Sequence, residues 1–101
     1  MDKNTFFNSF TRKSEQYEMP DGTTVELTEL TLGQRGKVQE MVKNDPSGIR
    51  AQAGIVAMSC PMLDENDIDR LMEMPGAVIK KMSDAVIRIS GLDDDEDAEK
   101  N

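Results

Sequence analysis

Few residues of this 101-residue chain could do acid–base or metal chemistry, because it contains no histidine and only one cysteine. The acidic run Asp64-Glu65-Asn66-Asp67 begins like a calcium-binding loop. Its fifth position is Ile68, whose side chain has no oxygen, and its sixth is Asp69 where such a loop requires glycine. We therefore expect neither a metal site nor a cofactor site. The acids suit the positively charged start of a helix.

The pair Gly33-x-x-Gly36, followed by Lys37, has the spacing of the glycine loop with which KH domains clamp a nucleic-acid backbone. Such a loop needs positive surroundings, whereas this chain has 12 basic and 20 acidic residues and a formal net charge of −8. The spacing also differs from that of a P-loop. We expect no nucleic-acid binding, and a loosely packed helical turn where glycine lets another backbone approach.

The remaining chemical candidates do not indicate an enzyme. Without histidine, a general base would be a carboxylate or lysine with a shifted pKa, and no spacing suggests one. Cys60 precedes Pro61 in an apolar stretch, which favours a small buried hydrophobe over a nucleophile. A lone cysteine forms no internal disulfide and is typical of a reducing cytoplasm. No apolar run approaches the roughly 20 residues of a membrane span, so no membrane association is expected.

The apolar spacing predicts a β-hairpin near the N-terminus. Polar and apolar residues alternate over Gln16–Met19 and again over Val25–Thr28. Between them, Pro20 presets a turn and Gly22 tolerates the left-handed conformation that hairpin loops need. The sequence therefore predicts a hairpin over residues 15–29.

Beyond the hairpin, the apolar residues follow the helical period. Thr31 and Gln34 have the spacing of a capping box, and Asn44-Asp45-Pro46 ends this first helix, with Asp45 expected to cap the next. The stripe of the first helix is Val38, Met41 and Val42.

Three further helices are predicted. The second helix is apolar on two sides and should be central, with one face formed by Ile49, Ala53, Val56 and Ala57 and the other by Ile55 and Met58. A short third helix follows the acids and carries Ile68, Leu71 and Met72. The last helix opens at Pro75 and closes in a Schellman motif at Ser90-Gly91-Leu92.

The predicted fold class is mainly α, or α+β: a short N-terminal hairpin followed by about four helices in one small domain. Residues 1–14 form a flexible segment with three phenylalanines, here called the Phe arm. Residues 15–92 form the folded body. Residues 93–101 contain six acids and one lysine, which predicts a disordered acidic tail.

The candidate partner-binding residues are Phe6, Phe10 and Met62. Phe6 and Phe10, at i and i+4, could form an amphipathic turn that docks on a partner, or could cover the hairpin of their own chain. Four of the eight methionines, Met41, Met58, Met72 and Met82, fall on predicted helix stripes, whereas Met62 and Met74 lie at helix junctions. A flexible thioether there suits either the filling of the core or an adaptable binding surface.

Three stretches together give the chain a resemblance to a known family: Val25–Gly36 (VELTELTLGQRG), Met62–Leu71 (MLDENDIDRL) and Val86–Leu92 (VIRISGL). In order and character they resemble the tail assembly chaperones of long-tailed bacteriophages, which are small, acidic and largely helical. The resemblance spans about residues 16–92 and leaves the Phe arm outside it. No catalytic or ligand residue is implied.

The resemblance implies a non-enzymatic assembly factor in the cytoplasm of the infected host. Such proteins bind the tape measure protein, keep its apolar helices from aggregating and help to recruit tail tube subunits. They are absent from the mature virion, and they often associate into homo-oligomers. The family would thus supply the tape measure protein and the tail tube protein as partners.

A different class of function is an acidic nucleic-acid mimic, or another small inhibitor that binds a protein. A mimic needs carboxylates clustered on a folded face. Here residues 93–101 have a net charge of −5, so the rest of the chain has only −3. This distribution favours the chaperone over the mimic.

Overall fold

The hairpin and the helical body are both present in the computed structural model, which describes residues 1–92. The mainly α fold with one N-terminal hairpin is confirmed, and a short additional helix lies in the Phe arm. The predicted acidic tail, residues 93–101, lies outside the described residues. The elements are α1 (Lys3–Asn8), β1 (Ser14–Glu18), β2 (Thr24–Thr28), α2 (Leu32–Asn44), α3 (Ile49–Ser59), a 3₁₀ turn (Glu65–Asp67) that leads into α4 (Ile68–Leu71), and α5 (Gly76–Ile89).

The hairpin turn forms for the reasons that the sequence gives. The Gly22 amide donates to the Met19 carbonyl at 2.9 Å, and Gly22 has the positive φ of 90° that an L side chain disfavours. The Asp21 carboxylate accepts from the Thr23 hydroxyl at 2.6 Å and from its amide at 3.0 Å. These hydrogen bonds from Thr23 hold the pKa of Asp21 below its ordinary value. The strands pair antiparallel, from Ser14 opposite Thr28 to Glu18 opposite Thr24.

The start of α2 is as predicted, but the link to α3 is not. Thr31 and Gln34 form a complete capping box, in which the backbone amide of Gln34 donates to the Thr31 hydroxyl at 3.1 Å. The prediction that Asp45 caps α3 is wrong, because its carboxylate accepts from the hydroxyl and amide of Ser47 instead. The hydrogen bond from the Ser47 hydroxyl is the main cause that lowers the pKa of Asp45. The N-cap of α3 is Gly48, whose φ is 75°.

The two glycines of α2 do not serve a close backbone approach. A Cβ at Gly36 would meet no atom within 4 Å, and one at Gly33 would meet only the Thr31 hydroxyl at 4.0 Å. The close approach occurs at Gly54 of α3, where a Cβ would lie 2.5 Å from the Sδ atom of Met41. The thioether of α2 therefore packs directly onto the backbone of α3.

The core forms around α3, which contacts α2, α4 and α5. Its predicted central position is confirmed, because most of its residues are buried, including Val56 and Ala57. α5 contributes an apolar face to the same core. The buried core residues outside α3 are Leu27, Leu30, Cys60, Ile68, Leu71, Ile79, Met82, Ala85, Val86 and Ile89.

Two buried serine hydroxyls fix the hairpin on the helices. The Ser59 hydroxyl, at the end of α3, accepts from the Thr28 amide at 2.9 Å and donates to the Thr28 carbonyl. The Ser90 hydroxyl, at the end of α5, accepts from the Leu30 amide at 2.9 Å. Arg35 of α2 donates to the Ser90 carbonyl at 2.8 Å. The end of β2 is therefore hydrogen-bonded to the carboxyl ends of both long core helices.

The Schellman ending of α5 is confirmed. The Leu92 amide donates to the Ile87 carbonyl at 3.0 Å, and the Gly91 amide donates to the Arg88 carbonyl at 3.0 Å. Gly91 has a φ of 75°. This is the left-handed residue that the motif requires.

We expect Gly91→Ala to lower the free energy of unfolding by about 1 kcal/mol, because alanine must adopt the left-handed conformation. Gly36→Ala is the matched control, since Gly36 has an ordinary helical φ and room for a methyl group. That change should raise the stability by about 0.5–1 kcal/mol. Urea unfolding followed by circular dichroism measures both, and a stabilising Gly91→Ala would contradict the assigned helix end.

We expect Ser59→Ala to cost about 1–3 kcal/mol, because it leaves the buried amide and carbonyl of Thr28 without their side-chain partner. Ser83→Ala is the control: Ser83 is also buried, but its hydroxyl donates to the Lys80 carbonyl within its own helix. The control should cost less than about 1 kcal/mol. Equal losses in urea unfolding would show that the Ser59 contact does not hold the hairpin.

Candidate protein-binding surface

The three predicted binding residues are all exposed, on separate elements. Phe6 lies in α1, Phe10 lies after it, and Met62 lies in the loop that follows α3. Their exposed fractions are 55, 83 and 72%. Of the two alternatives for the phenylalanines, the structure therefore has the rings facing solvent rather than covering the hairpin. The role of the three residues in binding stays a prediction.

The ring pair in the Phe arm differs from the predicted one. α1 ends at Asn8, because the Ser9 hydroxyl and amide bond the Thr5 and Phe6 carbonyls. Phe10 therefore does not share a helical face with Phe6. The partner of Phe6 is Phe7, whose ring centroid is 5.2 Å away at an interplanar angle of 82°, an edge-to-face contact.

The helix of the Phe arm begins at a side-chain cap. The Asp2 carboxylate accepts from the Thr5 amide at 2.7 Å. Hydrogen bonds from the hydroxyl and amide of Thr5 hold the pKa of Asp2 below its ordinary value. The cap lets a helix of only six residues form where the sequence predicted a flexible segment.

The base of the Phe arm is attached beside the start of α2. The Arg12 guanidinium donates to the Glu29 carbonyl at 2.8 Å and to the Gln34 side chain at 3.1 Å. The Lys13 amide donates to the Glu29 carboxylate at 2.7 Å. The phenylalanines therefore lie on a short segment whose base is fixed close to the serine contacts of the hairpin.

A second exposed apolar surface, here called the methionine groove, lies where α3 begins and α4 gives way to α5. Its rim consists of Ile49, Met72 and Met74, which are 57, 41 and 39% exposed. Ala53, Leu71 and Ile79 also line it, around a cavity of about 60 Å³. An adjoining cavity of about 250 Å³ shares Leu71 and Met74 and is also lined by Leu63, Asp67 and Arg70.

The local chain path explains why these side chains face outward. α4 ends at Leu71, and the Glu73 and Met74 amides bond the carbonyls of Arg70 and Leu71 in a tight turn. Pro75 then starts α5 from an extended conformation. Met72 and Met74 lie in this turn, and neither thioether reaches the core.

Sequence reasoning missed most of the methionine groove. Ile49 and Met72 fall on the apolar stripes of their helices, a pattern that predicts burial, but the structure exposes both. Met74 lies at a helix junction, but only Met62, at another junction, is among the predicted partner-binding residues. The signal that points to the groove is the pair of methionines directly before Pro75. Met62 is not among the residues that line it.

An exposed ion pair lies beside the methionine groove. Arg50, next to Ile49, lies 3.0 Å from the Asp69 carboxylate of α4, and both side chains are largely exposed. Such a pair contributes at most about 1 kcal/mol to stability. The side chains that line the groove are themselves uncharged, so the groove offers apolar contact.

The acids at 64–67 act within the chain as a helix cap. The Asp64 carboxylate accepts from the Asn66 amide at 2.8 Å, and the Asp67 carboxylate accepts from the Asp64 amide at 2.9 Å. Within residues 1–92, no group of three or more Cys, Asp or Glu side chains is placed to hold a metal ion. Cys60 is a free thiol and is buried. In the same part of the chain, no helix combines the length and apolarity that crossing a membrane requires.

No known family model, curated protein or solved structure matches this chain. Support for a function therefore comes from the two exposed apolar surfaces and from the resemblance carried by the three sequence stretches. Both surfaces are suited to bind protein through apolar contacts.

We expect Ile49→Ala to change the free energy of unfolding by no more than about 0.5 kcal/mol, because the side chain is exposed at the groove rim. Ile79→Ala is the matched control, since the same side chain is buried beneath the groove. It should cost about 2–5 kcal/mol. Urea unfolding of both variants checks this, and a large loss for Ile49→Ala would place that residue in the core.

Proposed function

We propose that this protein is a non-enzymatic tail assembly chaperone of a long-tailed bacteriophage. It binds the tape measure protein and helps to recruit tail tube subunits in the host cytoplasm, and it does not remain in the mature virion. The identity of the partners follows from the resemblance of the three stretches in residues 25–92. The observation that supports a chaperone is the exposure of the Phe arm and the methionine groove on one small acidic chain.

The exposed side chains are suited to apolar helices of varied sequence. An amphipathic helix binds a groove through residues at i, i+3, i+4 and i+7, which form an apolar stripe. Met72 and Met74 have flexible, polarisable thioethers that adapt to different side chains. Phe6 and Phe10 add aromatic area, and Met62 adds a third thioether on the loop that follows α3. A chaperone for a long helical protein needs this tolerance because successive client segments differ.

The charge of the chain is suited to reversible binding. The net charge of −8 resists self-aggregation while apolar side chains are exposed. The residues that line the methionine groove and those from Asn4 to Thr11 of the Phe arm are uncharged, so neither set would bind a client tightly through ion pairs. The client can then be released on polymerisation of the tail tube, when tighter apolar contacts replace those that it makes with this protein.

The competing function, an acidic nucleic-acid mimic, is less well supported. Four exposed carboxylates in the described body are paired with cations, namely those of Glu65, Asp69, Asp84 and Glu15 with Lys37, Arg50, Lys80 and Arg88. A phosphate mimic presents unpaired negative charge to a basic target. The interspersed ion pairs favour a protein-binding chaperone.

The two functions differ in their dependence on salt. We expect fragments of the tape measure protein with apolar helices to be pulled down by this protein at both low and high salt, because apolar contacts are not screened. The contact of a mimic with a basic protein would weaken steeply as salt rises. Loss of tape-measure binding at high salt would contradict the proposed mode of binding.

The contact residues are tested by the double variant Phe6→Ala, Phe10→Ala in the same assay. We expect it to bind about tenfold more weakly, the factor that corresponds to about 1.4 kcal/mol. Leu32→Ala is the control for the loss of exposed apolar area, because Leu32 is exposed at the start of α2 and is not one of the predicted contact residues. If the double variant binds like the wild type, the client site lies outside the Phe arm.

A further inference from the structure

The two exposed apolar surfaces of this chain are complementary to each other. We propose that the Phe arm of one copy docks in the methionine groove of a second copy. The contact joins α1, with its pair of phenyl rings, to the rim formed by Ile49, Met72 and Met74. It goes beyond the proposed function and does not depend on which client the protein binds.

The chemistry of the two surfaces supports this contact. Phe6 and Phe7 present adjacent rings at the surface, and Phe10 follows on the same segment. Thioether sulfur makes favourable contacts with aromatic rings, and the unbranched methionine side chain can move to admit a ring. The cavities of about 60 and 250 Å³ on either side of Leu71 and Met74 give these side chains space to move.

Charge favours the same occupant. Every residue from Asn4 to Thr11 is uncharged, in a chain of which 32% is charged. The side chains that line the methionine groove, from Ile49 to Ile79, are likewise uncharged. A contact made by these two sets of residues includes no charged side chain of either set, which avoids the largest desolvation cost.

The position of the Phe arm favours a second copy over its own groove. Arg12 holds the base of the arm beside Glu29, close to the carboxyl end of α5, whereas the methionine groove lies at the amino end of α5. At about 1.5 Å per residue, α5 is about 20 Å long. From Arg12 to the end of α1 at Asn8, a fully extended chain reaches at most about 14 Å. In the structure the rings of Phe6 and Phe7 are 55 and 69% exposed and the groove rim is exposed as well, so the arm does not cover its own groove.

Each arm–groove contact joins two different surfaces. Each copy offers one arm and one groove. Two copies that exchange arms form a closed dimer, and several copies related by a rotation form a closed ring when the last arm reaches the first groove. This gives a direct test, because an arm-defective copy and a groove-defective copy complement each other.

The test measures association of the full chain by sedimentation equilibrium at high micromolar concentration. The arm variant is Phe6→Ser, Phe7→Ser, the groove variant is Ile49→Ser, Met72→Ser, and Leu32→Ser is the control. We expect the wild type and the control to associate alike and each double variant to associate at least tenfold more weakly. Mixing the two double variants should restore association, because the mixture contains an intact arm and an intact groove.

Three results would overturn the proposal: a strictly monomeric wild type, undiminished association of the arm variant, or a mixture that associates no better than its parts. Circular dichroism of each variant shows whether it is folded. If the groove variant is unfolded, Ile49→Ser alone replaces it, since that side chain is the most exposed of the rim. A tape-measure pull-down with the wild type tests the proposed function separately, whatever the state of association.

Discussion

The fold depends on two buried serine hydroxyls that bind the end of β2. A two-stranded hairpin is marginal in water by itself, and within residues 1–92 no third strand covers the edge of this one. Ser59 completes that edge at Thr28, and Ser90 holds Leu30 two residues further on. These contacts fix the segment from which Leu27 and Leu30 enter the core. Because the two serines end α3 and α5, one cluster of hydrogen bonds sets the position of the hairpin and of both core helices.

The opposite ends of the same helices have no comparable cover among the described residues. There α3 begins after Gly48, and α5 begins after a turn that leaves Met72 and Met74 at the surface. The molecule is therefore well hydrogen-bonded at the hairpin end and apolar at the surface of the other end. This division suits a binding protein, because a client or a second copy can occupy the methionine groove without disturbing the contacts that hold the fold. If both use the groove, a client displaces the Phe arm, and binding is linked to dissociation of the assembly.

The elements that could be predicted from the sequence are those whose contacts are local. The capping box at Thr31, the hairpin turn at Gly22 and the helix end at Gly91 each depend on residues within five positions of one another. The serine contacts join positions 31 and 60 residues apart, so no local pattern reveals them. The groove was missed for a similar reason. An apolar residue on a helix stripe, such as Ile49, is exposed only because no neighbouring element covers it, and that depends on where the rest of the chain lies.

The central claim is that the end of β2 is the rigid part of the protein and the methionine groove is its binding part. Amide hydrogen exchange of the full chain, at a concentration below that of self-association, alone and with an apolar helical fragment of the tape measure protein, tests both halves together. This division of the molecule predicts slow exchange at Thr28 and Leu30 that the fragment leaves unchanged, and new protection at the start of α3 and across the turn from α4 to α5. Protection confined to the hairpin, or fast exchange at Thr28 and Leu30 in the free protein, would contradict it.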